Sequence, residues 1–325
     1  MINAGIIGGS GYTAGELLRL LANHPHVNID FVYSTTNAGK PVTSVHQDLL
    51  GDVNINFTEK VNPDVDVVFL CLGHGQSKAF LTAHNFSANA RIIDLGNDFR
   101  LDKYADFDGK QFVYGLPELN RKAITKAKYI ANPGCFATAI QLALLPLAQK
   151  RLLQNDVHIN ATTGSTGAGV QPSATSHHPW RTNNMSHYKA FEHQHLGEIG
   201  ESLKQLQSGF EGELLFIPNR GDFTRGIFAT LYTKLSADFK EVVSLYNDYY
   251  KDEPFVNVTT DSISLKLAVQ TNKCFISLEQ KGGYVLITSV IDNLIKGASG
   301  QAIENMNLMF ELEETTGLRL KPAGF

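Results

Sequence analysis

Cys135 stands in the run Asn132-Pro133-Gly134-Cys135-Phe136-Ala137-Thr138, where its thiol can serve as a nucleophile. An apolar strand, Tyr129-Ile130-Ala131, ends there; Pro and Gly break it, and an apolar-periodic segment runs from Phe136 to Gln149. That order puts Cys135 at the first residues of a helix, where backbone N–H groups lack partners and the dipole is positive. Both features favour the thiolate. A cysteine beside apolar residues is otherwise a small buried hydrophobe; the strand–turn–helix context favours the nucleophile. A thiolate attacking a carbonyl needs an acid–base partner, and His193-Gln194-His195, in the run Tyr188 to Ile199 that leads into a helix, supplies candidates. On a strand, His-x-His would turn both rings to one face, as zinc requires. Neither Cys nor carboxylate at ligand spacing accompanies the pair, so we expect no metal and assign one histidine as partner of Cys135.

A cofactor site opens the chain. The strand run Ala4 to Ile7 passes into Gly8-Gly9-Ser10-Gly11-Tyr12-Thr13-Ala14 and then into the helical pattern Glu16 to Leu21. Gly9, Gly11 and Ala14 make a G-x-G-x-x-A turn in the strand–helix context that dinucleotide binding requires. Gly8, Ser10, Gly11, Tyr12 and Thr13 are therefore candidate contacts to a pyrophosphate at the helix N-terminus. The next strand, Val27 to Tyr33, ends in Ser34, Thr35 and Thr36, with Lys40 close behind. An NAD site would place Asp or Glu at that tip; Ser34, Thr35 and Lys40 instead suit a 2′-phosphate, so the expected cofactor is NADP(H). The strand Asp66 to Leu72 runs into Gly73-His74-Gly75, where a small residue such as Gly73 lets a cofactor lie across the sheet edge; His74 reads as loop and Cys71 as core. Arg100, leaving the strand Arg91 to Leu95, either forks onto a phosphate or pairs with Asp98 or Asp102.

These residues need two kinds of scaffold. Strands and helices alternate through residue 131, which describes a Rossmann-type doubly wound parallel sheet of an α/β protein. Beyond the Cys135 helix the text changes. Val157 to Thr162 enters the loop Thr163-Gly164-Ser165-Thr166-Gly167-Ala168-Gly169, whose hydroxyls and bare amides suit an anionic substrate. Gln171 to His187 reads as polar loop, a lid or a subunit contact. Period-two strands follow at Phe228 to Leu235, Val256 to Val258, Phe275 to Glu279 and Tyr284 to Ile291, with a covering helix at Asp238 to Tyr250. They predict an α+β catalytic and dimerisation domain on a mixed or antiparallel sheet with one face covered. We place the NADP-binding domain at 1–133, completed by a C-terminal helix over 296–325, and the catalytic domain at 134–295. Length and composition agree: 325 residues suit two domains, and Lys+Arg 28 against Asp+Glu 32 leaves a net charge of −4. That balance gives neither a basic footprint for nucleic acid nor a polyacidic tail. Three widely spaced cysteines form no disulfide framework and suit a reducing cytoplasm. No apolar run is long enough to span a bilayer, and Met1 leads into a strand without a cationic leader, so a cytoplasmic protein is expected.

The chain resembles the N-acetyl-γ-glutamyl-phosphate reductases, relatives of aspartate-semialdehyde dehydrogenase, over nearly its whole length. The resemblance is carried in order by Gly8 to Thr13, Asp94 to Arg100, Asn132 to Thr138, Thr163 to Gly169, His193 to His195 with Glu198-Ile199, Arg225-Gly226-Ile227 and Lys296 to Asn305. It implies NADPH-dependent reduction of a small-molecule acyl phosphate to a semialdehyde: Cys135 forms a thioester, phosphate leaves, and hydride gives a thiohemiacetal that collapses. It implies His195 as acid–base, with His193 beside the substrate, and Arg100 on the phosphate, helped by Thr166 and Gly167. It further implies Gln141 and Arg225 on the substrate side, Asn293, Gly297 and Ala298 around the nicotinamide, and a homodimer or homotetramer. Departures from the family pattern are Asn97 and Thr166 for serines, Ala137 for proline, and Pro218-Asn219-Arg220 for Pro-His-Leu. Arg220 adds a cation that would suit an extra carboxylate, as an N-succinyl group in place of N-acetyl carries. Other acyl-phosphate substrates, a non-catalytic dinucleotide-binding regulator and a zinc hydrolase are the competing readings.

Overall fold

A computed structural model describes residues 1–324, and these divide into two compact units, 1–133 with 298–319 and 134–297 with 320–324. Lys296 and Gly297 thus fall in the second unit, not in the returning segment expected from the sequence. The first unit contains β1 (Ile2–Ile7), α1 (Tyr12–Leu21), β2 (Val27–Tyr33), β3 (Phe57–Thr58), β4 (Val67–Leu70), α2 (Ser77–Ala83), β5 (Arg91–Asp94), β6 (Asp106–Phe107), β7 (Lys110–Tyr114), α3 (Pro117–Ile124) and β8 (Tyr129–Ala131). Its sheet runs β3-β2-β1-β4-β5-β8-β7-β6, parallel except for β6. β4 is buried at all four positions, as expected of a strand covered by helices on both faces. The order reverses between β1 and β4, so the turn after β1 and Gly73 after β4 lie at the switch point, where ligands of such sheets bind.

The second unit comprises α4 (Cys135–Gln149), β9 (Val157–Thr163), α5 (His178–Arg181), β10 (Ser186–His187), α6 (His195–Leu206), β11 (Leu214–Arg220), β12 (Ile227–Lys234), α7 (Phe239–Tyr250), β13 (Val256–Thr259), β14 (Cys274–Lys281) and β15 (Tyr284–Ile291). Its sheet, β10-β11-β9-β12-β15-β14-β13, is mixed: β9 with β11 and β13 with β14 are parallel, the rest antiparallel. β12 alternates buried and more exposed positions, the pattern of a sheet covered on one face. The covering layer centres on α4, buried without interruption from Phe136 to Ala148. Each Leu or Ile so enclosed contributes roughly 1.5–3 kcal/mol. Pro146 lacks the N–H that Leu142 O would otherwise accept, and the Tyr250 hydroxyl donates to that carbonyl instead. Asp238 caps α7 by accepting from Lys240 N at 2.9 Å. No described helix is long and apolar enough to cross a membrane.

After β15 the chain makes a π-turn at Ile295–Ser299, then α8 (Gly300–Met309) joins the first unit. Sequence periodicity suggested one helix from Asp292; the π-turn separates two packing duties. Within the first unit, Ser299 Oγ donates to Thr13 O (2.7 Å), and Asn305 Nδ2 donates to Gly115 O (2.8 Å) and Asn132 Oδ1 (3.1 Å). The returning helix therefore fixes both the start of α1 and the turn three residues before Cys135.

Asp94, wholly buried at the end of β5, accepts from Ser77 Oγ (2.6 Å) and Gly96 N (3.0 Å). Burial pushes its carboxyl up to about 6 from 3.8, against the pull of those hydrogen bonds and of Arg100. A raised acid favours the protonated folded state, so its penalty is absent below about pH 4 and complete above about pH 6. Relative to Asp94→Asn, the unsubstituted protein should gain on the order of 2–3 kcal/mol of unfolding free energy between pH 7 and pH 4. Urea denaturation of both at several pH values reads this directly; a pH-independent difference would contradict it.

Candidate active site

Cys135 is the first residue of α4, and its N-cap, Gly134, is extended (φ −72°, ψ 152°). Gly134 brings no side chain of its own to cap that helix, and the first turn carries no acid, so the positive end of the dipole acts on the thiol. Cys135 is half-buried whereas Cys71 and Cys274 are buried, and burial drives the Cys71 thiol up to about 12. The residue before Cys135 is held from two sides. Gly134 N donates to Glu198 Oε2 (2.9 Å), and Thr138 Oγ1 donates to Gly134 O (3.0 Å). Opposite, a Cβ on Gly297 would stand 2.8 Å from Cys135 Cβ; only glycine lets that turn approach the sulfur-bearing residue.

His195 is the first residue of α6, and both it and His193 are 5% exposed. His195 N donates to His193 Nδ1 (3.2 Å), so His193 acts as an acceptor at the helix start, satisfying an N–H that the helix leaves unpaired. The rings lie 4.6 Å apart at 75°. Phe136, next to Cys135, sets its edge or face against His193 (5.4 Å), His195 (6.3 Å) and Phe216 (5.2 Å). Glu198, one turn along α6, brings Oε1 to 3.9 Å from His195 Nε2 while its other oxygen holds Gly134. One buried carboxylate thus links the imidazole to the backbone entering the thiol. Tyr188 packs on His193 at 5.8 Å; burial, and then the neighbouring Cys135, push its phenol up to about 12, against Arg220. Neither Glu198 nor Tyr188 was singled out from the sequence as a site residue. Glu198 could have been, since i, i+3 spacing on a helix brings it to His195; Tyr188 offered no such signal.

Several side chains expected on the substrate or nicotinamide have framework partners. Arg225 grips the buried Asp292 with two nitrogens (Nε–Oδ2 3.1 Å, Nη2–Oδ1 3.2 Å). Asn293 donates to Thr166 Oγ1 (3.1 Å) and accepts from Gly226 N (2.6 Å), and Thr166 Oγ1 donates to Thr224 O (2.6 Å). These bonds shape the Gly-rich loop around Gly167. Gln141 has no exposed surface at all, two turns into α4. In the first unit, Arg100 is 6% exposed and donates from Nε to Asn132 O (2.8 Å) and from Nη2 to Leu95 O (2.9 Å), bracing the turn before Cys135. Ala298 O accepts from Asn132 Nδ2 (3.1 Å).

The glycine turn of the first unit fits a dinucleotide. Gly8 has φ +79°, and a Cβ there would meet Cys71 O at 2.5 Å. Gly11 caps α1 without a side-chain bond, the first turn of α1 has no acid, and a Cβ on Gly11 would meet nothing nearer than Gly8 O at 3.8 Å. Ser10 and Thr13 are half-buried, while Tyr12, Gly73, Thr35 and Lys40 are exposed. Ser34 is buried, its hydroxyl 3.4 Å from Thr36 Oγ1.

Fold and site together define a semialdehyde dehydrogenase. Residues 3–127 match the family model "Semialdehyde dehydrogenase, NAD binding domain" and residues 135–293 match "Semialdehyde dehydrogenase, dimerisation domain". Solved aspartate semialdehyde dehydrogenases share the fold: that of Vibrio cholerae (type II) at TM-score 0.72 and 14% identity, covering 96% of this chain and 98% of that one, and that of Candida albicans, with NADP, at 0.68 and 14%, covering 95% and 98%. The N-acetyl-gamma-glutamyl-phosphate reductase of Flavobacterium johnsoniae is 71% identical, and that of Bacteroides fragilis strain YCH46 58% identical, each covering both chains fully. This chain belongs to the N-acetyl-γ-glutamyl-phosphate reductase family and is a nicotinamide-dependent oxidoreductase.

Proposed function

We propose that this enzyme reduces N-acetyl-γ-glutamyl phosphate to N-acetylglutamate 5-semialdehyde, with release of phosphate and NADPH as the reductant. The observation that carries the reading is a half-exposed cysteine at a helix start, tied through Gly134 and Glu198 to a buried imidazole. As thiolate, Cys135 attacks the acyl carbon, and the tetrahedral oxyanion collapses to a thioester as phosphate leaves. N–H groups in the first turn of α4 would offer the oxyanion its donors. NADPH, when bound, supplies the hydride. His195 protonates the resulting alkoxide and takes the proton back as the thiohemiacetal expels Cys135. Glu198 stabilises the imidazolium and fixes its orientation, and His193 positions the start of α6. Thr166 and Gly167 would border the departing phosphate.

Gly8, Ser10, Gly11, Tyr12 and Thr13 would hold the pyrophosphate, Gly73 the sheet-edge passage of the cofactor, and Ser34, Thr35 and Lys40 the 2′-phosphate. Gly297 and Ala298 would border the nicotinamide, with Asn293 shaping that border. The dimerisation-domain match supports a homo-oligomer, which we take as a dimer or tetramer, and three cysteines outside any disulfide suit a reducing cytoplasm. The test is NADPH oxidation and phosphate release on N-acetyl-γ-glutamyl phosphate, in a one-to-one ratio. NADPH should exceed NADH in kcat/KM by about 10-fold or more, and Lys40→Ala should erode that margin through KM for NADPH. Equal use of both cofactors, untouched by the substitution, would contradict the assignment to NADP.

A further inference from the structure

Two guanidinium groups meet beside the catalytic aromatic cluster. Arg181, on the four-residue α5, is 5% exposed; it donates from Nη1 to Arg220 O and Asn184 O, and from Nη2 to Thr175 O and Ser186 Oγ. Arg220, closing β11, lies 4.9 Å over the ring of Tyr188, and its Nη1 donates to Thr175 Oγ1 at a long 3.5 Å. The Nε atoms of both are buried without a hydrogen-bond partner. Arg220 also acts on Arg181 as a like charge, holding its guanidinium below the usual value after the larger effect of burial, with Asp222 opposing. Adjacent cations with unspent donors are costly, and an anion accepting from Arg220 offsets that cost. Tyr188 places this charge relative to the chemistry, since it contacts His193 and Cys135 acts on its phenol. The acyl carbon and its phosphate must lie against the sulfur itself; a cation reaching that neighbourhood by way of Tyr188 suits the opposite, amino-acid end of the substrate.

We propose that Arg220, laid on Tyr188 and backed by Arg181, is the carboxylate-recognition residue of the substrate site. The proposal rests on the reductase reading for the identity of its ligand. Two carboxylates share the chemistry: the α-carboxylate of the glutamyl unit, and one ending the N-acyl group, as in an N-succinyl substrate. The planar fork of arginine suits either.

Titration calorimetry with N-acetylglutamate and N-succinylglutamate, which cannot react, tests the site independently of turnover. The unsubstituted enzyme should bind at least one, and Arg220→Gln should weaken that binding by about 10- to 100-fold. Arg220→Lys, which keeps charge but not the fork, should fall between. Loss for both ligands assigns the α-carboxylate; loss confined to N-succinylglutamate assigns the acyl carboxylate. In the reverse reaction, KM for the aldehyde should rise in Arg220→Gln while KM for phosphate stays unchanged. The proposal is overturned if neither ligand binds the unsubstituted enzyme, if Arg220→Gln and Arg220→Lys bind as it does, or if KM for phosphate rises instead. Absence of NADPH turnover on the acyl phosphate would count against the reductase reading alone, since the binding measurement does not use it.

Discussion

Replacing Cys135 by serine should lower kcat by about 10³-fold or more while leaving cofactor affinity and thermal stability nearly unchanged. A serine hydroxyl fits the same half-exposed position at the start of α4, so packing is preserved. The hydroxyl is un-ionised at neutral pH, and an ester resists hydride attack more than a thioester does. Cofactor affinity should hold because the glycine turn belongs to the first unit and Cys135 to the second. Iodoacetamide at neutral pH should modify Cys135 ahead of the other two thiols, with activity lost in proportion. Cys71 and Cys274 are buried, and burial holds the Cys71 thiol at about 12. Retention of more than a tenth of kcat in Cys135→Ser would remove covalent catalysis from the account.

The second large effect separates the two histidines. His195→Asn should cost about 10²- to 10⁴-fold in kcat, with the pH–rate limb that reports the imidazole lost. His193→Asn should cost about 10-fold or less, because His193 Nδ1 accepts His195 N and an asparagine oxygen can cap a helix in the same way. Glu198→Gln keeps an oxygen for Gly134 N but removes the charge facing His195; kcat should fall by an intermediate factor, and the imidazole limb should move to lower pH as imidazolium loses its counter-charge. Steady-state kinetics over pH 5.5–9 on the three variants would show this order. Equal losses at positions 193 and 195, or the reverse order, would contradict the assignment.

What could be read from the sequence was what local chemistry controls. The Pro-Gly break before Cys135, the glycine turn after β1 and the period-two pattern of β12 and β15 are each decided within a few residues, and the structure places those elements as read. What local chemistry does not announce is long-range. Arg225 and Asp292 are 67 residues apart, so nothing local announced that the arginine's fork grips a buried acid. Arg181 sits in a segment polar enough to read as loop, yet carbonyls from Thr175 and Arg220 make its burial tolerable. Within the π-turn at Ile295–Ser299, Gly297 lies against Cys135, a closeness between residues far apart in the chain. Glu198 was visible as a member of a helix, but its bond to Gly134, 64 positions earlier, was not.

The central claim is a covalent bond between Cys135 and the acyl group. Enzyme mixed with N-acetyl-γ-glutamyl phosphate in the absence of nicotinamide, quenched in acid and digested, should yield one modified peptide by mass spectrometry. It should contain Cys135, carry the mass of the N-acetylglutamyl group, lose that mass to hydroxylamine, and form with a matching burst of phosphate. A phosphate burst with no acyl group on Cys135, or an acyl group carried by another residue, would contradict the account.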